Sequence, residues 1–140
     1  AFHKNSYVGR TFIKPTQKER ESAVHLKLSV LSSVVKGKRL VLIDDSIVRG
    51  TTMASLIRML KDAGATEVHV RISSPPFLFP CYYGTDVPSN DQLIASSHTA
   101  AEICASIGAD SLGYMKLEDL KQMTGDLPLC KACFDSHYPV

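Results

Sequence analysis

The sequence predicts an α/β protein: a parallel β-sheet flanked by helices on both faces. Three observations lead to that class. Arg39–Ile43 (RLVLI) is a short, almost uninterrupted apolar run, the pattern of a strand buried on both faces of a parallel sheet. Glu67–Ser73 alternates, with Val68, Val70 and Ile72 on one side, which is also strand patterning. Between them, Thr51–Ala63 places Met53, Leu56, Leu60 and Ala63 on one helical stripe. Strand, loop, helix and strand over residues 39–73 make a βαβ unit, whose crossover is right-handed in nearly all sheets.

The remaining elements follow in chain order. Residues 1–15 (AFHKNSYVGRTFIKP) are polar and basic and carry Gly9 and Pro15, so they read as loop or extended chain. Thr16 opens a capping box with Glu19, and Val24, Leu28, Leu31 and Val35 recur at helical spacing to about residue 35, where Gly37 ends the helix. Asp44–Gly50 is a polar loop, and Gly64 closes the Thr51–Ala63 helix. Pro75, Pro76 and Pro80 keep the next stretch extended. Residues 90–95 and 98–107 read as short helices, the second ended by Gly108. Ser111–Met115 is a further strand and Leu117–Met123 a short helix. Residues 1–125 thus form the α/β body, and residues 126–140 a tail holding CKAC. The parallel-strand candidates are three, at 39–43, 67–73 and 111–115. A doubly wound sheet usually has about five or more, so either a strand is hidden or part of the sheet lies outside this chain.

Composition narrows the function classes. The chain has 140 residues, one domain's worth, with 44% hydrophobic and 21% charged residues, which fits a soluble globular protein and argues against disorder. A net charge of +2, from 16 Lys+Arg against 14 Asp+Glu, is too small a surplus for a strongly basic nucleic-acid binder. No apolar run approaches the ~18–20 residues that span a bilayer, and no secretory signal is visible. The expectation is a cytoplasmic protein with neither nucleic acid nor membrane as partner. Residue 1 is Ala rather than Met, which suggests processing or a fragment. The four cysteines, Cys81, Cys104, Cys130 and Cys133, could make two disulfides; without a signal peptide, the CxxC pair reads better as metal binding or redox.

The most informative segment is VLIDDSIVRGTT (41–52): a buried strand ending in two adjacent acids, a short loop, then a helix. In open α/β sheets ligands bind at the carboxyl ends of strands. Backbone N–H groups of residues 48–52 point outward at the helix start, Gly50 leaves them unobstructed, and Thr51 and Thr52 add hydroxyl donors. With the helix dipole they form an anion cradle suited to phosphate. Asp44 and Asp45 beside that cradle make sense if the ligand also carries sugar hydroxyls or a hard cation such as Mg²⁺. The loop therefore predicts a phosphorylated ribose with magnesium. It has neither the GxxxxGK[ST] of a P-loop nor the GxGxxG of a dinucleotide fold. The competing reading is that Asp44 caps a turn while Asp45 and Thr51 cap the helix.

VLIDDSIVRGTT resembles the phosphoribosyl pyrophosphate (PRPP) signature of type I phosphoribosyltransferases. The resemblance assigns Asp44 and Asp45 to the ribose 2′ and 3′ hydroxyls and to Mg²⁺. It assigns Ser46, Ile47, Val48, Arg49, Gly50, Thr51 and Thr52 to the 5′-phosphate. YVGRTFIKP (7–15), ERESAVHLKLSVL (19–31), SSPPFLFPCYYGTDVPS (73–89) and GADSLGYMKLEDL (108–120) are similar to one family, the glutamine phosphoribosylpyrophosphate amidotransferases (amidophosphoribosyltransferases). That likeness runs over nearly the whole chain and implies part of a type I phosphoribosyltransferase fold whose upstream strands are absent here. It implies synthesis of 5-phosphoribosylamine from PRPP and glutamine-derived ammonia, the first step of purine nucleotide synthesis. The glutaminase domain and the pyrophosphate-binding half of the core are missing, so the chain alone is expected to be inactive. Purine nucleotides as feedback inhibitors and a homo-oligomeric full-length enzyme are further implications.

The family likeness also assigns KNSYVGRTF (4–12) to a flexible loop, spanning residues 1–15, that closes over PRPP. Lys4 and Arg10 would neutralise the leaving pyrophosphate and Tyr7 would donate to it. FPCYYG and CKACF match three ligand segments of the iron–sulfur clade, so Cys81, Cys130 and Cys133 are implied ligands of a [4Fe–4S] cluster whose fourth ligand lies outside this chain. CxxC alone would suggest zinc. Cys104, in the apolar AAEICASIG, reads as a small core thiol rather than the fourth ligand. The five histidines, including His25, His69, His98 and His137, show no ligand spacing. Two other functions fit parts of the pattern: a PRPP-binding regulator of the same fold, and a structural metal-binding module with a merely capping acidic loop.

Overall fold

The computed structural model describes residues 1–4, 28–85, 87, 89–125 and 127–139. Near the amino end, β1 (Phe2–Lys4) pairs antiparallel with β2 (Leu28–Val30), Phe2 opposite Val30. This settles one sequence expectation and corrects another. Residues 2–4 take the extended alternative, as a strand, and Leu28 belongs to a strand rather than to a helix running to residue 35. The helical spacing was misleading because Leu28 and Val30 also alternate around exposed Ser29, and a two-stranded ribbon lets Phe2 and Val30 pack on the core together. Among the described residues of that stretch, a single turn, α1 (Ser32–Val35), is helical, and it sends Val35 into the core. Thr16, Glu19, Val24 and His25 lie outside the described residues.

The main sheet has the order β3-β4-β5, formed by β3 (Arg39–Asp44), β4 (Glu67–Ile72) and β5 (Ser111–Tyr114), all parallel. Helix α2 (Thr51–Asp62) connects β3 to β4, as the βαβ reading required. Its buried stripe is Met53, Leu56, Ile57 and Leu60. After two short 3-10 turns (Asn90–Gln92 and Ile94–Ser96), α3 (Ala100–Ile107) adds Ile103 and Ile107. These helices meet Val68, Val70 and Ile72 of β4, in one core that also takes Val35 and Ile47. Each such side chain contributes about 1.5–3 kcal/mol when fully buried.

The other face of the sheet differs from expectation. β3 alternates instead of being buried on both sides: Val41 is 64% and Ile43 72% exposed. The physical reason is that α2 and α3 share one face, and among the described residues nothing covers Val41 and Ile43 on the other. Polar groups occupy the rest of that open face. Glu67 accepts from Arg39 (2.6 Å) and contacts His69 (2.7 Å), whose other ring nitrogen meets the Ser111 hydroxyl (2.9 Å).

The tail, through α4 (Leu117–Thr124) and α5 (Ala132–Asp135), returns to the proline-rich segment after β4. The Cys133 carbonyl accepts from the Leu78 and Phe79 amides at 2.9 and 3.1 Å. The Tyr138 hydroxyl donates to the Pro80 carbonyl at 2.7 Å, and Tyr83 donates to that of Pro139 at 2.6 Å. Ring pairs Phe77–Phe134 and Tyr82–Tyr138 complete the seam. No helix among the described residues is long and apolar enough to cross a membrane.

Candidate functional site

The site is the carboxyl end of β3. Asp44 closes the strand, and its carbonyl accepts from both the amide (3.0 Å) and the hydroxyl (3.3 Å) of Ser73, just past β4. That double tie fixes where the next residue leaves the sheet. The Asp44 carboxylate accepts from the Asp45 amide at 2.9 Å, and the Asp45 carboxylate accepts from the Ser46 hydroxyl at 2.7 Å. Burial pushes the Asp44 carboxyl above its usual range; the Asp45 amide opposes this, and the Asp45 charge adds to it. A carboxylate so placed gains from any hydroxyl donor or cation that joins it.

The loop then turns. Ile47 points into the core, 3% exposed, so it can offer a ligand only its backbone. The Val48 carbonyl accepts from the Ile94 amide at 2.9 Å, and the exposed Arg49 guanidinium donates to Gln92 Oε1. Gly50 has φ +78°, the left-handed region, and stands at the N-cap of α2. A Cβ there would lie 3.2 Å from Ile94 Cδ1 and 3.4 Å from Ile107 Cγ2. Glycine is therefore demanded by backbone conformation and by space.

No side chain caps α2, and its first helical hydrogen bond runs from the Ala54 amide to the Gly50 carbonyl at 2.9 Å. The capping roles weighed for Asp45 and Thr51 are thus not taken up. The orphan amides of the first turn stay available for an anion, next to two carboxylates able to take hydroxyl groups or a cation. Two further polar groups gather at this end of the sheet. The Ser74 and Tyr114 hydroxyls are buried without a hydrogen-bond partner among the described residues, and Tyr114 shares the register row of Asp44 and Ile72.

The structure brings residues 44–52 together as the sequence suggested. Lys4 lies in β1, with its side chain outside the description, and Tyr7 and Arg10 fall outside the described residues. Sequence reasoning missed Gln92 and Ile94. Gln92 is 43 positions from Arg49, and no motif announces the pairing.

A second gathering involves the thiols. The tail seam bonds the backbone of Cys133 to Leu78 and Phe79, in the segment that leads to Cys81. The amide of Thr85 donates to Cys81 Sγ at 3.4 Å, and the Tyr83 and Thr85 amides hold the Cys81 thiol down at about 7. Burial pushes the Cys133 thiol up, and the charges of Cys81, Cys130 and Asp135 push it further. Among the described residues, no group of three His, Cys, Asp or Glu stands close enough to hold a single metal ion. Cys104 sits apart in role: its thiol donates to the Ala109 carbonyl at 3.4 Å, at the end of α3.

Comparison with known proteins places this geometry in context. The phosphoribosyl transferase domain family matches residues 4–73. The amidophosphoribosyltransferase of Synechocystis sp. is 53% identical over 139 residues, covering 98% of this chain and 28% of that protein. The amidophosphoribosyltransferase of Methanocaldococcus jannaschii is 55% identical over 136 residues, covering 97% and 29%. The solved glutamine PRPP amidotransferase of Bacillus subtilis, complexed with ADP and GMP, superposes with a TM-score of 0.81 at 52% identity, covering 99% of this chain and 32% of that one. The chain spans less than a third of the length of these relatives.

Proposed function

The chain belongs to the phosphoribosyl transferase domain family, and on that premise we propose that it is the PRPP-holding, carboxyl-terminal part of an amidophosphoribosyltransferase. One observation carries this reading: two adjacent carboxylates beside an uncapped helix start, at the carboxyl end of a parallel strand. PRPP has the matching groups. Its 5′-phosphate suits the amides of residues 48–52 and the hydroxyls of Thr51 and Thr52. Its ribose hydroxyls suit Asp44 and Asp45.

In the reaction proposed, ammonia attacks the anomeric carbon of PRPP, a C–N bond forms, and the C–O bond to pyrophosphate breaks. The residues of this chain hold the ribose and its phosphate so that C1 faces the nucleophile, and most of the rate comes from positioning and charge neutralisation. Lys4, Tyr7 and Arg10 are assigned to the departing pyrophosphate. Asp44 and Asp45 are hard oxygen donors of the kind Mg²⁺ takes, and the ion would offset phosphate charge. Glutamine, purine nucleotides and a homo-oligomer belong to the proposed full-length enzyme. With less than a third of that length, the chain is not expected to make phosphoribosylamine from glutamine.

Cys81, Cys130 and Cys133 are the proposed ligands of an iron–sulfur cluster, with a fourth thiolate from elsewhere. In support, the tail is bonded to the segment that carries Cys81, and backbone N–H groups favour the Cys81 thiolate; among the described residues the three thiols do not converge on one point, so the cluster would have to draw them together. The cluster's task is structural, locking the tail to the body.

Calorimetry with PRPP and Mg²⁺ tests the main reading. The chain is expected to bind weakly, and Asp44→Asn/Asp45→Asn to weaken binding at least about tenfold further, since hydrogen bonds to charged groups contribute ~1.5–3 kcal/mol each. Equal heats for both proteins would sink the assignment.

A further inference from the structure

We propose that the paired 3-10 turns at Asn90–Ser96 are the rear support of the anion loop, and that Gln92 and Ile94 are positioning residues for phosphate binding. This rests on the PRPP reading of the loop. Three contacts run from two residues of the turns to three consecutive residues of the loop. Gln92 accepts from Arg49, the Ile94 amide donates to the Val48 carbonyl, and the Ile94 methyl closes the space beside Gly50. Residues 48–50 are the ones that aim the first amides of α2. A cradle works only if its donors are held before the ligand arrives.

The support is itself braced. Leu93, 1% exposed, anchors it between the two contacting residues. The Leu93 carbonyl accepts from the Ser96 hydroxyl at 2.7 Å, and the Leu93 amide donates to the Asn90 carbonyl at 3.0 Å. The choice of glutamine also has a chemical consequence. An uncharged amide oxygen holds the Arg49 guanidinium in place without neutralising it. The guanidinium keeps more of its positive charge beside the anion loop than it would with a carboxylate bonded to it at position 92, although Asp91 lines the same pocket.

The experiment uses the 140-residue chain and compares wild type, Gln92→Ala, Gln92→Glu and Ile94→Ala. Hydrogen exchange of the 48–52 amides is followed without ligand, and PRPP·Mg²⁺ affinity by calorimetry. Gln92→Ala is expected to speed loop exchange and weaken binding about tenfold while moving Tm by no more than ~2 °C. Gln92→Glu is expected to restore loop protection, because it keeps the acceptor, yet to leave affinity low, because it neutralises Arg49. Ile94→Ala is expected to lose both protection and stability. Wild-type binding with unchanged affinity in Gln92→Ala and Ile94→Ala would overturn the positioning role alone. No binding by wild type would overturn the PRPP reading and the positioning role with it.

Discussion

Gly50→Ala is the perturbation that most directly probes how the loop is built, because its cost divides into two parts. Gly50 (φ +78°, ψ −18°) and Gly108 (φ +74°, ψ +24°) both lie in the left-handed region, but a Cβ at 108 meets nothing within 4 Å, whereas one at 50 meets Ile94 at 3.2 Å and Ile107 at 3.4 Å. Gly108→Ala should therefore show the conformational part alone, about 1 kcal/mol. Gly50→Ala adds overpacking, about 1 kcal/mol at the low end because the opposing atoms are methyl groups that can yield a few tenths of an ångström. With 140 residues, each kcal/mol shifts Tm by roughly 3–4 °C, so the expected losses are about 3 °C at Gly108 and about 7 °C at Gly50. Urea unfolding at constant temperature with circular dichroism gives the free energies. Ile94→Val, which removes the Cδ1 in question, should recover part of the Gly50→Ala cost as a non-additive term of about 0.5–1 kcal/mol. Equal losses at the two glycines, or strict additivity in the double variant, would refute the packing argument.

Two other outcomes are expected. In metal-free, reduced chain, alkylation of Cys81 should rise with pH to half-maximal near about 7, since the thiolate is the nucleophile, while Cys133 should need higher pH; peptide mass spectrometry reports the order, and Cys133 reacting first would contradict the Cys81 environment. Anaerobic reconstitution with iron and sulfide should give brown protein that survives Cys104→Ser and loses its colour with Cys130→Ser, and colourless protein holding zinc instead would remove the cluster assignment.

The loop was legible before any coordinates because its chemistry is local. Asp44 and Asp45, Gly50 and the two threonines are adjacent in sequence, so a strand-to-helix turn puts them in one place, although distant residues then hold that turn in shape. The βαβ unit was legible for the same reason: Val68, Val70 and Ile72 alternate, and Met53, Leu56 and Leu60 repeat at helical spacing. Leu28 shows the opposite case. Its neighbours satisfy a helical period and a strand period equally, and only the partner strand at Phe2–Lys4 breaks the tie.

The residue types and spacings alone thus determined the class of fold, the acidic loop and the cysteines worth watching. Tertiary structure decided which face of β3 stays open, since Val41 and Ile43 are apolar whether or not a helix covers them. It also decided that Gln92 and Ile94 stand behind the loop and that the tail bonds back to Leu78–Pro80. Those contacts join residues tens of positions apart. The free energy that selects them comes from shared burial, which no local stretch of sequence encodes.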